Sequence, residues 1–246
     1  MHTLKNAAPV AMPARQRHNL LLEYVGAWST VAYISIFGGA WFFLAHFMPP
    51  TSPTETATGM ATLFREHNGI MMVASLLMMM SNWALLPFSA LLTLMMHKIE
   101  GRAGMLTLMM GFTCATFQVL NFYMGLGFAL AAFRPERAPE LIQLATDGAF
   151  LQVLGGIPMF LGVWSLCAYA ILVMSPRDNP ILPRWYGYLN LWAAISLIPE
   201  LLVFFFKTGP FAWDGLLGFW IPAVATVAYS YLTPLAFLPA LRKHFA

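Results

Sequence analysis

The sequence predicts an all-α membrane protein, a bundle of six transmembrane helices with both termini cytoplasmic. Three observations carry this. Of the 246 residues, 59% are hydrophobic and only 9% are charged, whereas soluble domains carry about 25% charged residues. Six apolar runs are each long enough to cross the hydrocarbon, which takes about 20 helical residues. Lys and Arg alternate between the connecting segments in the way that orients membrane helices.

Residues 1–26, "MHTLKNAAPVAMPARQRHNLLLEYVG", are polar to mixed and lack the apolar core and cleavage site of a signal peptide. They are expected to form a cytoplasmic tail. A single domain spanning 27–240 follows, then a short cytoplasmic tail, 241–246. The predicted spans are 27–48, 69–96, 105–133, 148–174, 186–206 and 216–238. Their separators are loop-like: "PPTSPTETATGMATLFREHN", "HKIEGRAG", "RPERAPELIQLATD", "SPRDNPILPRW" and "KTGPFAWDG". Residues 141–147 are expected as a short helix lying on the membrane. Trp28, Trp41, Trp185, Trp213 and Trp220 fall near predicted span ends and read as interfacial anchors.

Orientation comes from the basic residues. Lys5, Arg15, Arg17, Lys98, Arg102, Arg177, Arg184, Arg242 and Lys243 occupy the tails and the second and fourth loops. Arg65, Arg134, Arg137 and Lys207 occupy the others. The richer side stays cytoplasmic, and the protein is expected in a bacterial-type inner membrane.

Polar residues inside the spans form stripes. Gly111, Cys114, Gln118, Asn121 and Gly125 follow one another at three- and four-residue intervals, which puts them on one helix face. Ser75, Asn82 and Ser89 recur every seven residues. Thr226, Tyr229, Ser230 and Thr233 form a looser stripe. Small and polar residues of this kind commonly line helix seams, and that reading suffices for Ser75, Ser89, Gly111 and Gly125. Gln118 and Asn121 are large amides that need several partners, so they fit a seam or a polar cavity equally.

Glu200, in "SLIPELLVFFFKTGPFAWDG", is the one acid well inside an apolar run. An ionisable group near the bilayer centre costs about 2.5–3.5 kcal/mol on insertion scales and is by default a candidate functional group. Pro199 before it frees a carbonyl and bends the helix. Lys207, seven residues on, is expected on the same side, nearer the outside.

His46, Glu66, His67, Asp147 and Asp214 gather at the periplasmic ends of the predicted spans. Helix capping accounts for Glu66 and Asp147, while His67 and Asp214 are the candidate proton-transfer partners of Glu200. The other four histidines, His2, His18, His97 and His244, fall in tails or at the cytoplasmic edge. No metal-ligand spacing, phosphate loop or nucleophile motif occurs, so no metal, cofactor or nucleic acid is expected. The seventeen methionines read as adaptable apolar filler, and neither Cys114 nor Cys167 lies in a loop.

"LPRWYGYLNLW" followed by "KTGPFAWDGLLGFW" resembles the C-terminal half of uncharacterised bacterial multi-pass inner-membrane proteins, which implies a fold without a function. In size, and in having isolated membrane acids, the chain is also similar to small integral-membrane terpene cyclases. Those have seven spans, and no residue carries over from them.

Three functions are open at this stage. The first is an intramembrane site for a hydrophobic molecule such as a terpenoid, steroid or lipid intermediate, with acid-catalysed isomerisation or cyclisation as its chemistry. Glu200, Asp214 and His67 are its candidate catalytic residues. Asn82, Trp83, Gln118, Asn121, Tyr123, Trp192 and Tyr229 are the candidate ligand-binding residues. The second is a small transporter using Glu200 as a proton relay, and the third is a scaffold or accessory protein without chemistry. Beyond such a small molecule, the only partner expected is membrane lipid.

Overall fold

The computed structural model describes residues 14–244, and all regular structure among them is helical. α1 (Ala14–Gly39) runs into a π-helical turn (Ala40–Leu44), and α2 (Ala57–Glu66) is short. α3 (Asn68–Glu100), α4 (Met105–Ala132) and α5 (Pro139–Gly155) follow. α6 (Ile157–Tyr169) ends in a second π turn (Ala170–Met174), and α7 (Arg184–Leu197) in a 3-10 helix (Ile198–Phe204). A third π turn (Leu216–Trp220) opens α8 (Ile221–His244).

Five stretches are long and apolar enough to cross a membrane: His18–Leu44, Asn68–Glu100, Met105–Ala132, Arg184–Phe204 and Leu216–Lys243. They match the first, second, third, fifth and sixth predicted spans. The fourth differs. Residues 148–174 are not one helix but parts of α5 and α6, which meet at Gly156. Pro158, in the first turn of α6, has no N–H to continue the ladder and favours a fresh helix start. At the other end Pro139 begins α5 after an extended Ala138, so residues 141–147 belong to that helix rather than standing alone.

Local chemistry sets the other boundaries. The Thr56 hydroxyl accepts the Gly59 N–H at 3.0 Å and caps α2. Gly101, at φ +70°, closes α3 in the left-handed conformation that glycine adopts without strain. The Glu100 carboxylate then accepts the N–H groups of Leu106 at 3.0 Å and Thr107 at 2.8 Å, capping the first turn of α4.

Two predicted caps are absent. Glu66 is the last residue of α2 and exposed; it stands one residue before His67, the N-cap of α3, but no side chain makes a capping bond there. Asp147 sits in the middle of α5, because that helix starts at Pro139, nine residues before the predicted span.

The helices pack through small residues. A Cβ on Gly26 of α1 would stand 3.0 Å from the Pro87 carbonyl oxygen of α3, so these two helices meet almost backbone to backbone. The polar stripes of α3 and α4 face one another in antiparallel register. A Cβ on Gly125 would reach 3.0 Å from Ser75 O. Further along the seam, Asn121 bonds Asn82 at 3.0 Å and Gln118 bonds Ser89 at 2.8 Å. α8 is tied to α1 by the Thr30 hydroxyl, which donates to Ser230 O at 3.0 Å.

Connections separate to two ends. At one end Arg65 donates to the carbonyls of Pro135 (2.8 Å) and Arg137 (3.0 Å). There too Trp213 donates to Thr51 O at 2.7 Å, joining the first, third and fifth loops. At the other end Lys243 donates to Asn179 at 2.6 Å, and Glu23 near the start of α1 lies within electrostatic reach of Lys98 near the end of α3. Trp28 and Trp185 are exposed, Trp28 well inside the stretch His18–Leu44 and not at its end, whereas Trp41 and Trp213 are buried in aromatic clusters.

Candidate functional site

A cavity of about 120 Å³ lies between α1, α4, the α5–α6 junction, α7 and α8, in the half of the bundle nearer the first, third and fifth loops. At this level part of its wall leaves regular α-helical geometry. The π turns supply Trp41 and Phe42 from the end of α1 and Phe219 from the start of α8, Gly156 marks the α5–α6 break, and the 3-10 helix carries Glu200. Departures of this kind change the angular step between side chains and concentrate at functional sites. Regular α1 adds Tyr33 and Phe37, α4 adds Phe117 and Asn121, and α8 adds Thr226.

Glu200 is 5% exposed and lines this cavity. Its Oε2 is buried and has no hydrogen-bond partner among the described residues. It stands four residues before Phe204, the end of the span, and so lies nearer the loops than the mid-membrane depth expected from sequence. Among the described residues no Lys, Arg or His lines the cavity.

Lys207 is not stacked above Glu200. A seven-residue spacing aligns side chains only in an α-helix, whereas residues 198–204 are 3-10 and the helix stops at Phe204. Lys207 instead lies within electrostatic reach of Asp147 on α5.

Trp41 is the second polar wall. It is 3% exposed, and its Nε1–H is buried with no partner among the described residues. Phe47, Phe128 and Phe150 pack edge-on at centroid distances of 5.2, 5.7 and 5.6 Å, while Phe37 and Phe219 stack on it at 6.0 and 6.3 Å. The ring is therefore locked in place.

Asn121 is the third, and it is bonded. It takes the Tyr33 hydroxyl on Oδ1 at 3.3 Å and donates to Asn82 Oδ1 at 3.0 Å, and Asn82 donates to Met79 O at 3.0 Å. Asn82 thus stands behind the wall and holds Asn121 in place. Gln118 belongs to the α3–α4 seam and lies outside the cavity.

A smaller space of about 40 Å³ adjoins the first and shares Tyr33, Phe117, Phe160 and Thr226 with it. Tyr229 lines this one. Its hydroxyl accepts from Tyr186 at 2.8 Å, and the Tyr186 hydroxyl also lies 3.0 Å from Thr233 Oγ1.

The remaining sequence candidates lie elsewhere. Trp83, Tyr123 and Trp192 are exposed by 71%, 50% and 48% on the outside of the bundle, and none lines either cavity. His67 packs against His46 at a ring distance of 4.5 Å, with Nδ1 3.2 Å from Leu63 O. Neither His67 nor the half-buried Asp214 lines the cavity of Glu200. Among the described residues no three His, Cys, Asp or Glu side chains converge into a metal-binding group. His2 lies outside the described residues.

Sequence reasoning missed Tyr33, Trp41 and Tyr186. Tyr33, Phe37 and Trp41 are four residues apart, a one-sided aromatic stripe that was there to be counted. No protein-family model matches the chain, and no curated protein or solved structure matches it either.

Proposed function

We propose that this chain is a six-crossing inner-membrane protein, both termini cytoplasmic, that holds a mostly apolar small molecule by one polar end against Glu200. In this reading α5 and α6 together make the fourth crossing, and the cavity lies toward the periplasmic side. The observation that carries the proposal is the buried Glu200 oxygen, without a partner among the described residues, on the wall of a cavity.

A buried polar group left unbonded costs about 1–3 kcal/mol, and more if charged. Helix packing accounts for the α3–α4 stripes, whose groups find partners across the seam. It gives no return for Glu200. A ligand carrying a complementary group removes that cost, and the aromatic walls supply the apolar contact.

Size narrows the ligand. A cavity of about 150 Å³ holds benzene, so the space beside Glu200 takes one ring or a short branched chain. A terpenoid, steroid or lipid intermediate fits here by one end only. Proton relay through His67 and Asp214 lacks support, since neither reaches this cavity.

The test is native mass spectrometry and solvent extraction of the detergent-purified protein. Wild type is expected to carry a small molecule that is depleted in Glu200→Gln and in Thr226→Phe, which fills the shared wall. Identical extracts from all three proteins would refute the reading.

A further inference from the structure

We propose that the polar end of the ligand is an organic cation, an aliphatic amine or a quaternary ammonium group. This rests on the reading of the Glu200 cavity as a ligand site and adds the charge of what it binds.

Among the described residues the cavity offers one acidic side chain and no basic one. Among the described residues no Lys, Arg or His stands in its walls, and none of the other polar side chains lining the space, Tyr33, Trp41, Asn121, Gln152 and Thr226, bonds the buried Oε2 of the carboxyl. If the ligand's polar end were a hydroxyl or carbonyl, a neutral side chain at position 200 would bind it without an ionisable group in an apolar site. A carboxyl gains most from a partner that brings positive charge and N–H donors.

The rest of the wall suits the same partner. Tyr33, Phe37, Trp41 and Phe219 form a run of rings with interplanar angles of 27°, 19° and 20°. Phe117 and Phe160 close the other side, their centroids 4.0 Å apart. Ring faces attract cations within about 6 Å of the centroid, and more strongly when water is excluded. In a space of about 120 Å³ a cation beside Glu200 has aromatic rings around it. Amine or ammonium, one acid and several rings form a self-consistent set.

The experiment is calorimetric titration of the detergent-solubilised full-length protein with hexylamine, hexyltrimethylammonium and hexanol. Wild type is expected to bind either cation on the order of tenfold more tightly than hexanol. Glu200→Gln should lose that preference while keeping its affinity for hexanol, and Thr226→Phe should weaken all three probes. Phe37→Leu provides a second route that leaves the carboxyl in place, with an expected loss of about threefold for hexyltrimethylammonium alone. If hexanol binds wild type as tightly as hexylamine and Thr226→Phe weakens both, the cavity stands and the cation inference is overturned. If none of the probes saturates, the ligand-site reading falls with it.

Discussion

Asn121 and Asn82 join α4 to α3 by one side-chain hydrogen bond of 3.0 Å, and the same Asn121 takes the Tyr33 hydroxyl of α1 on its other end. One amide therefore fixes three helices and presents its remaining surface to the cavity. Exchanging Asn82 for Ala leaves the Asn121 N–H group without its partner, at an expected cost of about 1 kcal/mol. A double-mutant cycle with Asn121→Ala, read by denaturant titration in mixed micelles, should return a coupling of about 0.6 kcal/mol or more. Strict additivity would mean that the pair does not form.

Close approach makes a second prediction, along the same seam. A side chain at Gly125 would meet Met79 Cγ at 2.8 Å and the Ser75 carbonyl oxygen at 3.0 Å, whereas at Gly111 the nearest neighbour is Thr93 Cγ2 at 3.6 Å. Gly125→Val is expected to destabilise by about 1–3 kcal/mol, and Gly111→Ala to leave stability nearly unchanged. The two unfolding midpoints check this directly; equal shifts would argue against the register described.

The loop beyond Glu200 is pinned by backbone. Leu217 and Gly218 both donate to Pro210 O, at 2.8 and 3.1 Å, and a Cβ on Gly218 would run into the Ala212 carbonyl. Gly218→Ala should lift this loop and speed tryptic cleavage after the exposed Lys207. A cleavage rate equal to that of wild type would show that the loop tolerates the added carbon.

Orientation is testable by fusion. Both termini cytoplasmic, with six crossings, means that a reporter active only in the cytoplasm works after Ala246 and fails when inserted near Arg137. Activity at both sites, or at Arg137 alone, contradicts the topology.

Much of this architecture was legible in the residues. The runs around 69–96 and 105–133 are apolar and uninterrupted enough to be helices, and their stripes follow the helical repeat, so their inward faces could be counted. What could not be counted was pairing. That Ser75 meets Gly125, and Asn82 meets Asn121, depends on how two rods are set against one another.

The misreadings have physical reasons. Pro158 was visible inside 148–174, but apolar residues on both sides hid the break. Pro199 announced a bend, yet the change to 3-10 geometry shifted the phase and carried Lys207 away. Trp83 follows Asn82 by one residue and Tyr123 follows Asn121 by two, so on a helix each turns well away from the polar face. Glu200 stood out because an acid in an apolar run is costly wherever it points. Trp41, its companion in the cavity wall, was masked by a general preference of tryptophan for interfaces.

The most direct measurement is the unfolding free energy of Glu200→Leu beside wild type, without added ligand. A carboxyl kept for a ligand, its buried Oε2 without a partner among the described residues, contributes no stability through that oxygen, so the account predicts no loss, or a gain of about 1–2 kcal/mol. A loss of about 2 kcal/mol or more would show that Glu200 holds the helices together, and the ligand-site reading would be contradicted.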